Sequence, residues 1–514
     1  MNIANVVRDT ASRLPEKPAV IFQDRPITYR ELDAEIDHAA AGIAALGVRK
    51  GDRVAVLVHN IPQFIYAYLG IARAGAVMVP LNTMYTADEV GFILADAEAR
   101  AVVVADPFAG VVEGLRETLP MLEHVIVVGD KAAVGTMTWD QMIGRGGEPP
   151  EISTTDEDLA VLAYTSGTTG QPKGAMLLHG NLTANLDQMS KVPMLAEGES
   201  DTVLLVLPLF HIYALNVILG LTVRVGATAV LLERFDPSAA LDAIERHRVT
   251  IAFGAPPMFV AWLATPGIEA RDLNSVRLAV SGAAPLPGPV LEQFRDRLGI
   301  TIWEGYGLTE TAPGLTSNAM GDVAKPGSIG KPLPEVEIRL VDENGDDVED
   351  GDPGEIVARG PNVFGGYWRR DQETAEAFRN GWLHTGDVAY EDADGYLFIV
   401  DRKKDLIIVS GFNVYPREVE EVLFRHPKVA DAAIVGVPHP YTGEAVKAVV
   451  QLRPGEATNE EDLVEFCRRS LARFKCPQSV EFVQEIPHTI TGKVLRRALR
   501  DEAGDVADGS RAGA

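Results

Sequence analysis

Lys173 closes the stretch Tyr164-Thr165-Ser166-Gly167-Thr168-Thr169-Gly170-Gln171-Pro172-Lys173-Gly174, in which glycines and small hydroxyl residues follow an apolar run. Glycines let successive backbone N–H groups turn toward one anion, the Ser and Thr hydroxyls add donors, and the lysine supplies a mobile positive charge. A polyphosphate is the natural guest. The spacing is not that of the Walker loop, because Pro172 stands where its second Gly would be, so an ordinary kinase or motor ATPase is disfavoured. Taken alone, a Gly/Ser/Thr-rich segment is equally compatible with a surface turn.

Other residues carry chemistry of uneven specificity. Glu310 is the one acid between Gly305 and Thr311, and a glutamate at a helix start also gains about 0.3–1 kcal/mol from the dipole alone. Gly305-Tyr306-Gly307 is no dinucleotide fingerprint, since Glu310 occupies the place of the third Gly. Asp387 follows Thr385-Gly386; a carboxylate suits two vicinal hydroxyls, and Gly-Asp suits a turn equally well. His211 lies in an apolar region where a satisfied core histidine is the ordinary outcome, and Lys493 taken alone reads as a surface lysine. No Gly-x-Ser-x-Gly elbow and no HExxH metal site stand out.

The elements around these residues read as α/β. Strand-like runs at Arg53 to Val58 and Ala101 to Ala105 alternate with amphipathic stretches such as Thr28 to Leu46, and the pattern recurs at Thr250 to Gly254, Val276 to Ser281 and Thr301 to Trp303. Ligands of parallel sheets gather at strand C-terminal ends, so these loops are candidates for one cleft. After Lys325, prolines and an acidic turn separate short strands, which reads as a small β subdomain. A compact α+β unit then follows, with a helix opened by Pro416, strands near Ala432 to Val437 and Ala445 to Leu452, a helix from Asn459 to Phe474, and a frayed tail after Asp501.

At 514 residues at least two domains are expected. The net charge of −26, from 47 basic and 73 acidic residues, opposes binding to nucleic acid or anionic lipid. Two cysteines, Cys467 and Cys476, suggest no disulfide scaffold and fit a reducing cytoplasm, and the charged N-terminus is unlike a signal peptide. Polar interruptions make Val203 to Leu232 a strand, a buried helix and a second strand rather than a transmembrane span.

Five motifs in order, the loop above, Gly305 to Glu310, Gly381 to Asp387, Asp401 to Asp405 and Thr491-Gly492-Lys493, resemble those of the adenylate-forming superfamily of acyl-CoA synthetases, 4-coumarate-CoA ligases, luciferases and adenylation domains. The resemblance runs from about Ile27 to Arg497. It implies a large N-terminal domain of stacked α/β sheets plus the β subdomain (residues 1–400) and a small mobile α+β domain (residues 401–514) hinged at Asp401.

The reaction it implies turns a carboxylic acid and ATP into acyl-AMP and pyrophosphate, then acyl-AMP and CoA into acyl-CoA and AMP. Thr165, Ser166, Gly167, Thr168, Thr169, Gly170 and Lys173 would hold the departing phosphates; Glu310, with Thr165, would place Mg²⁺. Tyr306 would stack on adenine with Gly282, Ala283 and Ala284 on its other side, Asp387 and Arg402 would take the ribose hydroxyls, and Glu304, Gly305, Gly307, Thr309 and Ile399 would also bind the nucleotide. Lys493 would reach the carboxylate and the α-phosphate, His211 would stand at the mouth of the acyl pocket, and Gly411 would line the thiol path after the small domain rotates. Tyr213, Phe253, Met258 and Trp303 are pocket-wall candidates. With no carrier domain after Lys493, free CoA is the expected acceptor. A medium- or long-chain fatty acid is the expected substrate, with an aryl acid as the alternative. An acyl-AMP ligase serving a separate carrier protein and a noncatalytic ATP-binding regulator are the other readings; oligomeric state, a homodimer included, stays open.

Overall fold

The computed structural model describes residues 1–130, 133, 135–165, 172–402, 405–409, 412–439, 441–489, 492–496 and 498–499, the side chains of Asp401 and Arg402 excepted. Two large sheets form the first body. One runs, edge to edge, Met137–Thr138, His124–Val128, Ala99–Ala105, Arg53–Leu57, Val77–Pro80, Leu159–Thr165 and Lys173–Leu178, parallel except for the last pair. The other has a parallel centre of Ile302–Gly307, Leu278–Ser281, Ile251–Gly254, Thr202–Leu205, Thr228–Leu231 and Pro18–Phe22, extended by antiparallel edges. The strands are rich in Val, Ile, Leu and Ala because both faces of a parallel sheet are covered.

Helices fill the space between the sheets. Tyr29–Ala45 starts at a capping box in which Thr28 Oγ1 accepts from Glu31 N–H while Glu31 Oε2 accepts from Thr28 N–H. Pro62–Arg73 opens on a proline that lacks the N–H a first turn leaves unused, and all but one of its residues are buried. The two helices touch closely at Gly70, where a Cβ would meet the Ala39 Cβ at 2.6 Å.

The expected β subdomain is a five-stranded antiparallel sheet of Glu337–Val341, Gly354–Arg359, Trp382–Glu391, Phe378–Arg379 and Leu397–Arg402. The small C-terminal domain has a separate sheet, made of Phe412–Val414, Ile407–Val409, Gly443–Leu452, Val429–His439 and Ser479–Val483, and its own core around Val419, Leu423, Ile434 and Leu463. This is the large-plus-small α/β architecture read from the sequence.

Two local readings change. The helix expected over Asn459 to Phe474 runs only Glu460–Arg468, capped by Asn459 Oδ1; the chain then turns so that Cys476 joins Cys467 in the small core. The segment Val203 to Leu232 is strand, helix and strand as expected, but its helix begins as a π-helix, Tyr213–Gly220. No helix among the described residues is long and apolar enough to cross a membrane.

Candidate active site

Thr165 and Lys173 face each other as the last paired residues of the antiparallel strands Leu159–Thr165 and Lys173–Leu178, which flank the glycine-rich stretch in the sequence. Ser166, Gly167, Thr168, Thr169 and Gly170 lie outside the described residues. The Lys173 ammonium lies 5.5 Å from the centroid of the Tyr367 ring, and the Tyr367 hydroxyl donates to Glu310 Oε1 at 2.8 Å. Burial, with Glu310 adding to it, holds that phenol well above its ordinary pKa, so it stays a donor. Tyr367 therefore joins the phosphate hairpin to the expected metal ligand. It escapes the sequence motifs; its only local signal is the glycine pair Gly365-Gly366, whose backbone hydrogen-bonds both ways with Met176.

Glu310 sits in the short 3₁₀ turn Thr309–Thr311, and its carbonyl accepts from Phe364 N–H at 2.9 Å. One half-buried carboxylate with a fixed orientation fits Mg²⁺, which is usually held by one or two carboxylates, water and substrate phosphates. Thr165 brings a hydroxyl to the end of the hairpin strand.

The expected nucleoside residues converge from three strands. Tyr306 lies in Ile302–Gly307, and its hydroxyl donates to Asp387 Oδ2 at 2.6 Å. Asp387 is buried in Trp382–Glu391 and sits across from Arg402, while its neighbour Ala389 sits across from Ile399. Tyr306 and Ile399 pack on the same apolar cluster. Gly307 can only be glycine, because a Cβ there would lie 1.8 Å from the Pro313 carbonyl oxygen. Gly305 pairs with Ser317, and Thr309 starts the turn that carries Glu310.

Gly282, Ala283 and Ala284 follow the strand Leu278–Ser281, beside the ends of Ile251–Gly254 and Ile302–Gly307. Ala283 has φ +71°, a left-handed conformation that alanine adopts at a cost and that concentrates at functional sites. Glu304 is buried, accepts from Leu286 N–H at 3.2 Å, and is pushed up to about 7 by burial, against which the charge of Arg417 acts.

The apolar side of the cleft holds Phe253, Met258, Trp303 and Tyr213, all buried, with the Tyr213 and Phe253 rings edge to face at 6.3 Å. A Cβ at Gly282 would touch the Tyr213 ring at 3.0 Å. His211 Nδ1 accepts from Tyr213 N–H, and burial, helped by the nearby charge of Lys493, pushes the imidazole down to about 4, so it is uncharged at neutral pH.

Lys493 thus comes from the other end of the chain to the vicinity of His211. It rides on a tight hairpin in which Lys493 N–H donates to Thr489 Oγ1 and Thr489 N–H to the Lys493 carbonyl. Gly492, with φ +85°, packs so closely on Pro257 that a Cβ would lie 2.5 Å from that ring. The structure brings Lys493 and His211 together, and separately joins Lys173 to Glu310 through Tyr367 and Tyr306 to Asp387. Gly411 lies outside the described residues, as does the Arg402 side chain.

The class of enzyme follows from comparison with known proteins. The model of the AMP-binding enzyme family matches residues 7–368, and that of the AMP-binding enzyme C-terminal domain matches residues 418–493. The chain belongs to this adenylate-forming family and is an AMP-forming acyl- or aryl-CoA ligase that uses ATP and CoA. It is 35% identical to a long-chain-fatty-acid–CoA ligase of Bacillus subtilis over 97% of this chain and 94% of that protein. It is 40% identical to a feruloyl-CoA synthase of Amycolatopsis sp over 95% and 96% of the two chains. The crystal structure of an anthranilate CoA ligase with anthranoyl-AMP superposes with a TM-score of 0.92 at 33% identity, covering 99% of this chain and 98% of that one.

Proposed function

We propose that the protein activates a medium- or long-chain fatty acid as acyl-AMP and passes the acyl group to CoA. The observation that carries the reading is the seat of Lys493, whose hairpin packs on Pro257 and whose charge reaches the buried His211. A carboxylate is a poor electrophile because its oxygen leaves badly; attack on the α-phosphorus of ATP replaces that oxygen with an AMP leaving group and expels pyrophosphate. Lys493 holds the carboxylate and the α-phosphate together as charge moves between them, and Lys173 with the glycine-rich stretch receives the departing phosphates. Tyr306 and the Gly282 to Ala284 turn enclose adenine, and Asp387 with Arg402 takes the ribose hydroxyls. Glu310 and the Thr165 hydroxyl would hold Mg²⁺, which would supply charge neutralisation on the phosphates.

The uncharged His211 and the buried Phe253, Met258 and Trp303 favour an extended apolar acid, as the name of the B. subtilis relative does. One observation favours an aryl acid instead. The Tyr213 and Ser281 hydroxyls are buried without a hydrogen-bond partner among the described residues, a cost that a polar-substituted ring would remove. The feruloyl-CoA synthase and anthranilate ligase likenesses support the same alternative.

We place the hinge at Asp401, between residues 1–400 and 401–514, because Leu397–Arg402 is paired in the β subdomain while Ile407–Val409 belongs to the small domain's sheet. Rotation there would withdraw Lys493 and admit Gly411 to the thiol path. The buried thiols Cys467 and Cys476 suit a reducing cytoplasm. Pyrophosphate release from a panel of fatty and hydroxylated aryl acids, with and without CoA, tests the reading. Preference for aryl acids transfers it to the alternative. Release with no free acyl-CoA formed points to a carrier protein, and no acid-dependent release at all to a regulator.

A further inference from the structure

Besides the Gly492 contact with Pro257, a chain of contacts through one helix of the small domain ties the Lys493 hairpin to the large domain. Pro416–Phe424 opens on Pro416, and Arg417, in its first turn, crosses to the large domain, where one guanidinium nitrogen donates to the Gly327 carbonyl at 3.2 Å. A second nitrogen is steadied by Glu421 Oε1 at 3.2 Å. Gly327 is not a loose acceptor: its neighbour Ser328 donates through Oγ to the Leu397 carbonyl at 2.8 Å, and the Ser328 carbonyl accepts from Asn318 Nδ2 at 2.6 Å. The guanidinium charge also acts on buried Glu304, which holds Leu286 just beyond the Ala283-Ala284 turn. Arg417 therefore ties the small domain to the Gly327 turn of the large one.

Three residues on, Glu420 points the other way along the chain of contacts. Both its oxygens accept from one nitrogen of Arg496, at 2.6 and 2.8 Å, and Oε1 also accepts from Ile434 N–H at 2.9 Å. Both Arg417 and Glu420 are buried, so removing either partner leaves an uncompensated buried group and costs more than at an exposed pair. Arg496 follows the Lys493 hairpin directly, and the hairpin is closed by Leu495 N–H donating to the Pro487 carbonyl. A helix is stiff over one turn, so the Gly327 contact at one end fixes the height of Arg496, and of Lys493, at the other.

We propose that Arg417 is a positioning residue for acyl-adenylate formation, docking the helix Pro416–Phe424 on Gly327 so that Glu420 and Arg496 set the depth at which Lys493 enters the site. The proposal rests on the adenylation role of Lys493 given above. It deepens that reading by naming what holds the small domain in the adenylating arrangement. Arg417 touches no substrate in this scheme, and its loss leaves the thiol step, which uses another orientation of the domain, in place.

The test is Arg417→Met in the full-length enzyme, read in both half-reactions: acid-dependent pyrophosphate exchange, and thioester formation from supplied acyl-adenylate and CoA. Exchange is expected to lose about 10²-fold in kcat, the effect of displacing a catalytic group by about an ångström. KM for ATP and the thioester rate stay near wild type, and Arg417→Lys recovers part of the exchange. The retained thioester rate also shows that the variant folds. Should Arg417→Met melt early, Glu420→Gln breaks the same chain of contacts at its other end and is expected to give the same split. Wild-type exchange in Arg417→Met, or equal loss of both half-reactions in both variants, overturns the proposal. Lys493→Ala runs beside them: if it exchanges normally, the adenylation reading and the proposal fall together. If it loses exchange while Arg417→Met keeps it, the proposal alone falls.

Discussion

Gly492→Ala tests the docking of Lys493 with one added methyl group. At φ +85° an alanine is strained by about 1–2 kcal/mol wherever the small domain lies. In the docked arrangement there is a second cost, because the new Cβ would stand 2.5 Å from Pro257 Cδ and Cγ. Carbon atoms rest at about 3.5–4.0 Å, so hairpin and proline must part by roughly 1 Å, and Lys493 is the next residue. A misplacement of that size costs about 10²-fold in a positioned reaction. The expected result is a fall of that order in pyrophosphate exchange, with thioester formation from supplied acyl-adenylate changed little. Gly455→Ala is the control: it has φ +81°, lies in the same domain, and nothing stands within 4 Å of the added carbon. It should share the loss of melting temperature and keep the exchange rate. If Gly492→Ala exchanges as fast as Gly455→Ala, the hairpin does not act against Pro257 during adenylation and the docking argument fails.

Tyr367→Phe removes the donor that orients Glu310; a hydrogen bond to a charged group contributes about 1.5–3 kcal/mol, so half-maximal adenylation should need roughly tenfold or more additional Mg²⁺, and an unchanged Mg²⁺ titration would count against the bracing role. Asp387→Ala should raise KM for ATP about tenfold with a smaller effect on KM for the acid; equal effects on both would place the carboxylate elsewhere in the mechanism. Glu197 is pushed up to about 8 by burial, against an ordinary value of 4.5. The folded protein thus keeps a proton that the unfolded chain releases, so this contribution is complete below pH 4.5 and is lost as pH rises to 8, by an amount on the order of 5 kcal/mol. Glu197→Gln should flatten the fall in melting temperature over that window, and an unchanged pH profile would show that the carboxyl is hydrated.

Local signals carried most of the architecture. The capping box at Thr28, the proline openings at Pro62 and Pro416, and apolar runs such as Ala99–Ala105 state their structure within a few residues. The helix beyond Asn459 was read too long because its end is set by where Cys476 packs, a tertiary demand with no helix-stop signal at Arg468. The π-helical turn at Tyr213 is hidden for the same reason, since a buried apolar stretch has no polar face to reveal its period. At the site, Lys173, Glu310, Tyr306 and Asp387 were legible as motif positions. Their partnerships were not: Tyr367 reaches Glu310 across 57 positions and Tyr306 reaches Asp387 across 81. Arg417 was missed altogether, because one arginine in a helix reads as solvated until its acceptor, 90 positions away, is known.

Tyr306 donates to Asp387 at 2.6 Å, largely out of water. Folding has therefore already met the entropy of fixing that ring and that carboxylate, and an arriving nucleoside need not order them. It must instead displace or share the phenol at the carboxylate, trading one charge-assisted bond for another. Such an exchange is nearly neutral for a sugar that presents both hydroxyls and unfavourable for one that does not. With Asp387 in its proposed ribose role, the tyrosine would be an internal competitor, turning part of the affinity for ATP into discrimination between ribose and its deoxygenated relatives.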